Sequence, residues 1–174
     1  TGAQTYTYSG GSNVVSPVVT TTYSVSGTSS LGCVSAAPAI SSVTVNALPV
    51  ITVNSGAICN GSSFTIVANG ASTYTYSGGS SVVTPTISTT YSVTGTSSLG
   101  CVSAAPAVSS VTVNNLPVLS VNSGSICAGL SFTINPSGAV SYTYSGGSQV
   151  VTPTVTTVYS VTGTDANGCV KIGR

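Results

Sequence analysis

The sequence predicts an all-β protein made of small antiparallel β-sandwiches in tandem, each built from a unit of 68 residues. Three observations predict it. The hexapeptide Tyr-Thr-Tyr-Ser-Gly-Gly begins at Tyr6, Tyr74 and Tyr142, 68 residues apart both times, so one folding unit is copied head to tail without insertion or deletion. Within the unit, apolar residues alternate with a period of two and never with the helical period, and they are the β-branched and aromatic types that suit a pleated surface. Turn residues then break the pattern at short intervals, as at Asn54-Ser55-Gly56, Asn69-Gly70, Gly78-Gly79 and Gly95.

The period divides the chain into a partial first copy (residues 1–46), a complete second copy (47–114) and a third copy (115–174). Leu48-Pro49 and Leu116-Pro117 mark the joints, which are too short and too stiffened by proline to act as flexible tethers. Neighbouring units should therefore hold a fixed angle. In the second copy the pattern predicts strands over about 50–54, 62–68, 73–77, 82–88, 89–95 and 108–114, with Phe64, Ile66, Tyr91, Val93, Val111 and Val113 inward. Pro85 places its segment at an edge or a bend, because proline donates no ladder hydrogen bond. A unit this small buries only about 60% of the surface that its unfolded chain exposes, so it needs a staple or neighbours.

Charge is nearly absent: Asp165, Lys171 and Arg174 are the only charged side chains among 174 residues. With 41% hydrophobic residues the chain is nevertheless expected to fold, since disordered chains combine low hydrophobicity with high charge. Two cations cannot neutralise a phosphate track, so no nucleic-acid partner is expected. Apolar runs last only a few residues, so no segment is expected to span a membrane. A surface of hydroxyls, amides and backbone lacks the repulsion that keeps soluble proteins apart, and this points to a covering or to self-association into a filament or array.

The five cysteines fall into two classes on the repeat: Cys33, Cys101 and Cys169 in one, Cys59 and Cys127 in the other. Each complete unit owns one of each class, 42 residues apart, which predicts disulfides Cys59–Cys101 and Cys127–Cys169 and assigns Cys33 a partner upstream of Thr1. A loop of that length is worth roughly 4 kcal/mol in the chain-entropy model and implies an oxidising, extracellular compartment. Metal ligation is disfavoured, because the chain has no His and no C-x-x-C.

The strings Thr89-Thr90-Tyr91-Ser92-Val93-Thr94-Gly95-Thr96 with Gly100-Cys101, Ile58-Cys59-Asn60-Gly61 and Leu48-Pro49-Val50 resemble the immunoglobulin-like repeats of large secreted and cell-surface bacterial proteins. Thr162-Gly163-Thr164-Asp165-Ala166-Asn167-Gly168-Cys169 is closer still to that family's wording. The resemblance covers the whole chain. It implies an immunoglobulin-like fold, an extracellular structural or adhesive role, a core position for Tyr76 where the family often has Trp, and a tyrosine corner at Tyr91.

No catalytic residue and no cofactor is expected. The only acid is Asp165, in a turn, and the only base for a Ser or Cys nucleophile is Lys171. The Gly-Gly pairs at Gly10, Gly78 and Gly146 are expected to be turns, since no helix and no Lys follows them to make an anion site. Asn60-Gly61-Ser62 is a glycosylation sequon that recurs in no other copy and is treated as chance. About a third of the residues are Ser or Thr, and Thr75, Ser77, Thr84 and Thr86 are the candidate O-glycosylation positions, two of them flanking Pro85. After Cys169 the third copy departs from the others and is expected to lack its last strand, either because the array continues elsewhere or because a neighbouring chain donates one. The leading expectation is a building block of an extracellular fibril or cell-surface stalk. An adhesin that uses exposed tyrosines and hydroxyls, or an ice-binding array of Thr-x-Thr ranks, stands as the alternative. A sugar coat is checked by intact mass: secreted material should exceed the 16.9 kDa of the bare chain, and a mass equal to it would leave the hydroxyls unmodified.

Overall fold

The computed structural model describes residues 2–173. These residues form eighteen strands and, among them, no helix. The first copy contributes β1 (Thr5–Tyr8), β2 (Thr21–Thr28) and β3 (Ala39–Val43), hydrogen-bonded in that order as an antiparallel sheet. The second copy contributes β4 (Thr52–Val53), β5 (Gly56–Cys59), β6 (Phe64–Thr65), β7 (Ala68–Asn69), β8 (Thr73–Tyr76), β9 (Val82–Val83), β10 (Thr89–Thr96) and β11 (Ala107–Asn114). The third contributes β12 (Ser120–Val121), β13 (Phe132–Thr133), β14 (Pro136–Ser137), β15 (Ser141–Tyr144), β16 (Val150–Val151), β17 (Val161–Thr164) and β18 (Val170–Gly173).

In the second copy β5, β11, β10 and β8 make a four-stranded sheet, while β4 pairs with β7 and β6 with β9. All these pairs are antiparallel except β11 with β5, which run parallel from Val111↔Gly56 to Asn114↔Cys59. Alternation puts Val93 and Val111 on one face, and they meet Ile66 and Val83 in a single buried cluster against which Val53, Phe64, Tyr74, Tyr76 and Tyr91 pack. Strands from the four-stranded sheet and from both small pairs therefore share one core.

The local structure departs from the expectation in four places, the first at Gly95, expected to mark a turn but lying inside β10 opposite Tyr74. The predicted strand over 62–68 is divided, because the Asn54 side chain takes over part of the ladder: its amide donates to the Thr65 carbonyl (3.1 Å), and its oxygen accepts the Val67 N–H (2.7 Å). Gly56, expected in a turn, instead opens β5; a side chain there would collide with the Phe64 ring, 2.8 Å from where a Cβ would sit. The predicted strand over 82–88 shrinks to β9, and Pro85 lies beyond it.

The three copies differ in how completely they are buried. No residue from 2 to 46 is buried, and the described residues of the first copy include no counterpart of β4 to β7. The third copy repeats the small pairs as β12–β14 and β13–β16 and keeps Ile134, Val151 and Val161 buried. Val93→Ala and the equivalent Val25→Ala separate these states. Removing two buried methyl groups at Val93 should cost about 2–3 kcal/mol in urea unfolding, and the same change at half-buried Val25 should cost less than about 1 kcal/mol.

Candidate functional site

The repeated hexapeptide is spent on folding. The Tyr74 hydroxyl donates to the Ala71 carbonyl (2.9 Å) and accepts the Ala71 N–H (3.0 Å), and Tyr142 does the same with Ala139 at 2.9 and 2.8 Å. Both rings are half-buried against the cores, so these tyrosines do not form an exposed row; Tyr6, in the uncovered first copy, is 44% exposed. The tyrosine whose hydroxyl clasps the backbone is therefore Tyr74. Tyr91, expected to form that corner, instead lays its ring against Gly78, where a Cβ would come within 3.0 Å of it. Ser9, Ser77 and Ser145 each accept a backbone N–H from the neighbouring strand, at Ser24 (2.9 Å), Ser92 (3.0 Å) and Ser160 (2.9 Å). Thr75, Ser77, Thr84 and Thr86 are all exposed, and of the four Ser77 already has this bond.

The cysteines pair differently from the expectation. Cys59 is bonded to Cys169, with 5.5 Å between Cα atoms and 110 residues between them in sequence, while Cys33, Cys101 and Cys127 are free. Sheet geometry gives the reason. Cys59 ends β5 opposite Asn114, beyond the Thr89 end of β10, whereas Cys101 follows the turn at the Thr96 end. The eight residues of β10 hold those ends about 24 Å apart at about 3.4 Å per residue. A disulfide tolerates about 7 Å between Cα atoms, so a bond within one copy is excluded. Cys127, on a segment of the third copy that joins no ladder, is exposed and free, while Cys169 follows the turn after Thr164. The link between copies is instead at the joint, where the chain leaves Asn114 through Leu116 and the buried Pro117.

Asp165, the only acid, serves this joint. Its Oδ1 accepts the N–H groups of Asn167 and Cys169, both at 2.8 Å, and fixes the turn that presents the fully buried Cys169. Ser29 and Ser97 hold the N–H groups of Cys33 and Cys101 in the same way at 3.2 Å. Lys171 is exposed on β18 and takes part in the ladder opposite Gly163.

A second feature is a groove of about 700 Å³ in the third copy, lined by Ser123, Gly124, Ile126, Phe132, Thr157 and Tyr159 among others. In the second copy the equivalent space holds β11. There the Ser109 hydroxyl donates to the Asn54 carbonyl (2.7 Å), Ser110 N–H to the Ser55 hydroxyl (2.9 Å) and Val113 N–H to the Ser88 hydroxyl (3.0 Å), and Ser109 and Val111 are 0% and 1% exposed. After Cys169 the third copy forms a strand of four residues. That strand, β18, stops opposite Val161, and residues 157–160 and 124–127 join no strand ladder.

Among the described residues no three His, Cys, Asp or Glu side chains gather as a metal-holding group, and no helix is long and apolar enough to cross a membrane. No family model and no curated protein matches the chain.

The position of the disulfide is what sequence spacing missed: the period put the cysteines in classes but could not say which class members lie at the same joint. Non-reducing peptide mapping should recover the Cys59 peptide joined to the Cys169 peptide; recovery joined to the Cys101 peptide would refute the fold at this point. Cys59→Ser should cost about 3–5 kcal/mol in unfolding, since the bond closes a loop of 110 residues.

Proposed function

We propose that this chain is a structural building block of an extracellular fibril or cell-surface stalk, made of stiff immunoglobulin-like β-sandwiches in tandem. The observation that carries the reading is the Cys59–Cys169 bond. It fastens one copy to the next rather than stabilising either alone, and a buried proline lies in the connection it braces. Such a bond has little use in a binding module whose parts work separately and an obvious one where relative orientation must persist along a chain. The disulfide is compatible with an oxidising extracellular setting. The shared core of the small strand pairs and the four-stranded sheet supports the sandwich, and the recurrence of the same side-chain bonds at 68-residue intervals supports the tandem.

The low charge fits this role, because a surface of exposed Thr and Ser offers no long-range repulsion between neighbouring chains. Covalent glycans on exposed residues such as Thr75, Thr84 and Thr86 would supply the solvation that charge does not. Adhesion through a row of tyrosines draws no support from the half-buried, hydroxyl-bonded Tyr74 and Tyr142. Negative-stain electron microscopy tests the reading: rods or fibrils of uniform width are expected, and isolated particles hinged freely between the second and third copies would overturn it.

A further inference from the structure

We propose that the outward face of strands β8, β10 and β11, with its counterparts in the other copies, is a lateral contact that packs against the same face of a second molecule of this chain. The inference rests on the proposed structural role and names the surface along which molecules lie side by side. Three observations carry it.

The first is the chemistry of the face. Alternation sends Tyr91, Val93 and Val111 into the core and leaves the residues between them on the other side of the sheet. There three cross-strand pairs set hydroxyls side by side: Thr73↔Thr96, Thr75↔Thr94 and Thr90↔Ser110. Val102 and Val108 stand opposite Thr96 and Ser92, each more than half exposed. From β8 to Thr112 on β11 no charged, amide or aromatic side chain interrupts this surface. Among the described residues its six paired hydroxyls make no hydrogen bond within the protein, whereas Ser77, Ser88 and Ser103 at the sheet margins each hold a backbone N–H. Short side chains with free hydroxyls and exposed methyl groups let two sheets approach closely.

The second is that the face is its own complement. A hydroxyl both donates and accepts, so a hydroxyl surface can bond to a copy of itself. Within the first copy Thr22 and Ser42, the equivalents of Thr90 and Ser110, already do so at 3.2 Å with either oxygen able to donate. A charged face would repel its copy, but Asp165 is engaged in its turn and Lys171 lies on the other side of its sheet, opposite the buried Gly163. The aliphatic positions also recur with the period: Val34↔Thr28, Val102↔Thr96 and Val170↔Thr164, all three valines more than half exposed. A surface that repeats every 68 residues is matched along its length by a molecule with the same repeat.

The third is size. The 24 residues of β5, β8, β10 and β11, each about 3.4 Å long on strands about 4.8 Å apart, make a face of roughly 400 Å². A stable contact buries about 800 Å² on each partner, so one copy falls short and two in tandem reach it. Tandem repetition thus turns a weak face into a lasting contact.

The test uses the whole chain, residues 1–174, with Cys33, Cys101 and Cys127 alkylated so that no new disulfide imitates assembly. Sedimentation should show concentration-dependent association that does not weaken as salt is raised, because no charges meet. The variant Val34→Lys, Val102→Lys, Val170→Lys places like charges on both sides of the contact and should raise the dissociation constant at least about tenfold. Val108→Lys alone should weaken it in the same direction. Because all four positions are exposed, both variants should keep the Cys59–Cys169 bond and β-sheet circular dichroism. The control is Val19→Lys, Ile87→Lys, Val155→Lys, which adds the same charge at equally recurrent, exposed positions in the loop before the central strand and should associate like the parent.

Equal loss in the control would overturn the contact in favour of a general charge effect, and so would a parent chain that is monomeric at every concentration. Thermal hysteresis from such monomers would assign the face to ice instead. A sugar on Thr75 in associated material would also overturn it, since a glycan there would stand between the faces; Thr84 and Thr86 lie outside the strands. Fibrils that persist in the triple-lysine chain would remove this contact and leave the fibril role standing. Lateral pairs that never lengthen would uphold the contact and remove the fibril.

Discussion

The strand from Ala107 to Asn114 is the constraint on which the second copy depends. It is gripped on both edges, antiparallel by β10 and parallel by β5, and it delivers Ser109 and Val111 to the centre of the core. Its hydroxyl bond to the Asn54 carbonyl reaches across 55 residues of sequence and ties the last strand to the link between β4 and β5. A buried hydroxyl without a partner costs about 1–3 kcal/mol, so Ser109 also dictates register: a slip of one residue would strand it and turn Val111 outward.

Side-chain hydroxyls do much of the work that charge or longer ladders do elsewhere. Ser77 accepts from Ser92, Ser55 from Ser110, Ser88 from Val113 and Ser103 from Gly95, each one satisfying a backbone N–H near the margin of a sheet. A short hydroxyl is suited to this because it reaches its own or the next strand at little entropic cost. Among the described residues no buried side-chain polar atom lacks a partner, which is how a chain with so few charged side chains keeps a defined register.

The all-β character was legible in the sequence because alternation and glycine placement are local signals. Strands β8, β10 and β11 fall where the pattern puts them, for their inward residues Tyr74, Tyr76, Val93 and Val111 alternate without interruption. Strand β5 was hidden because Asn54-Ser55-Gly56 carries the composition of a turn, and only its parallel pairing with β11 makes it a strand. The disulfide was hidden for a related reason. Equal spacing of Cys59 to Cys101 and Cys127 to Cys169 suggests partners within a copy, yet the length of β10 keeps Cys59 and Cys101 at opposite ends of the second copy. Repetition in sequence fixes which residues are equivalent, not which of the equivalent residues touch.

The bond between Cys59 and Cys169 also decides how the chain bears tension. A pull along the backbone that arrives at Cys59 crosses at the sulfur atoms and leaves from Cys169, so the 110-residue stretch that they bracket carries no load. That stretch contains β8, β10 and β11 and most of the third copy. At about 3.4 Å per residue, roughly 370 Å of contour is withheld from extension as long as the bond is intact. Reduction would leave that stretch held by its sheets alone. A covalent shunt of this kind lets the redox surroundings decide whether the hydrogen bonds of that stretch bear load at all.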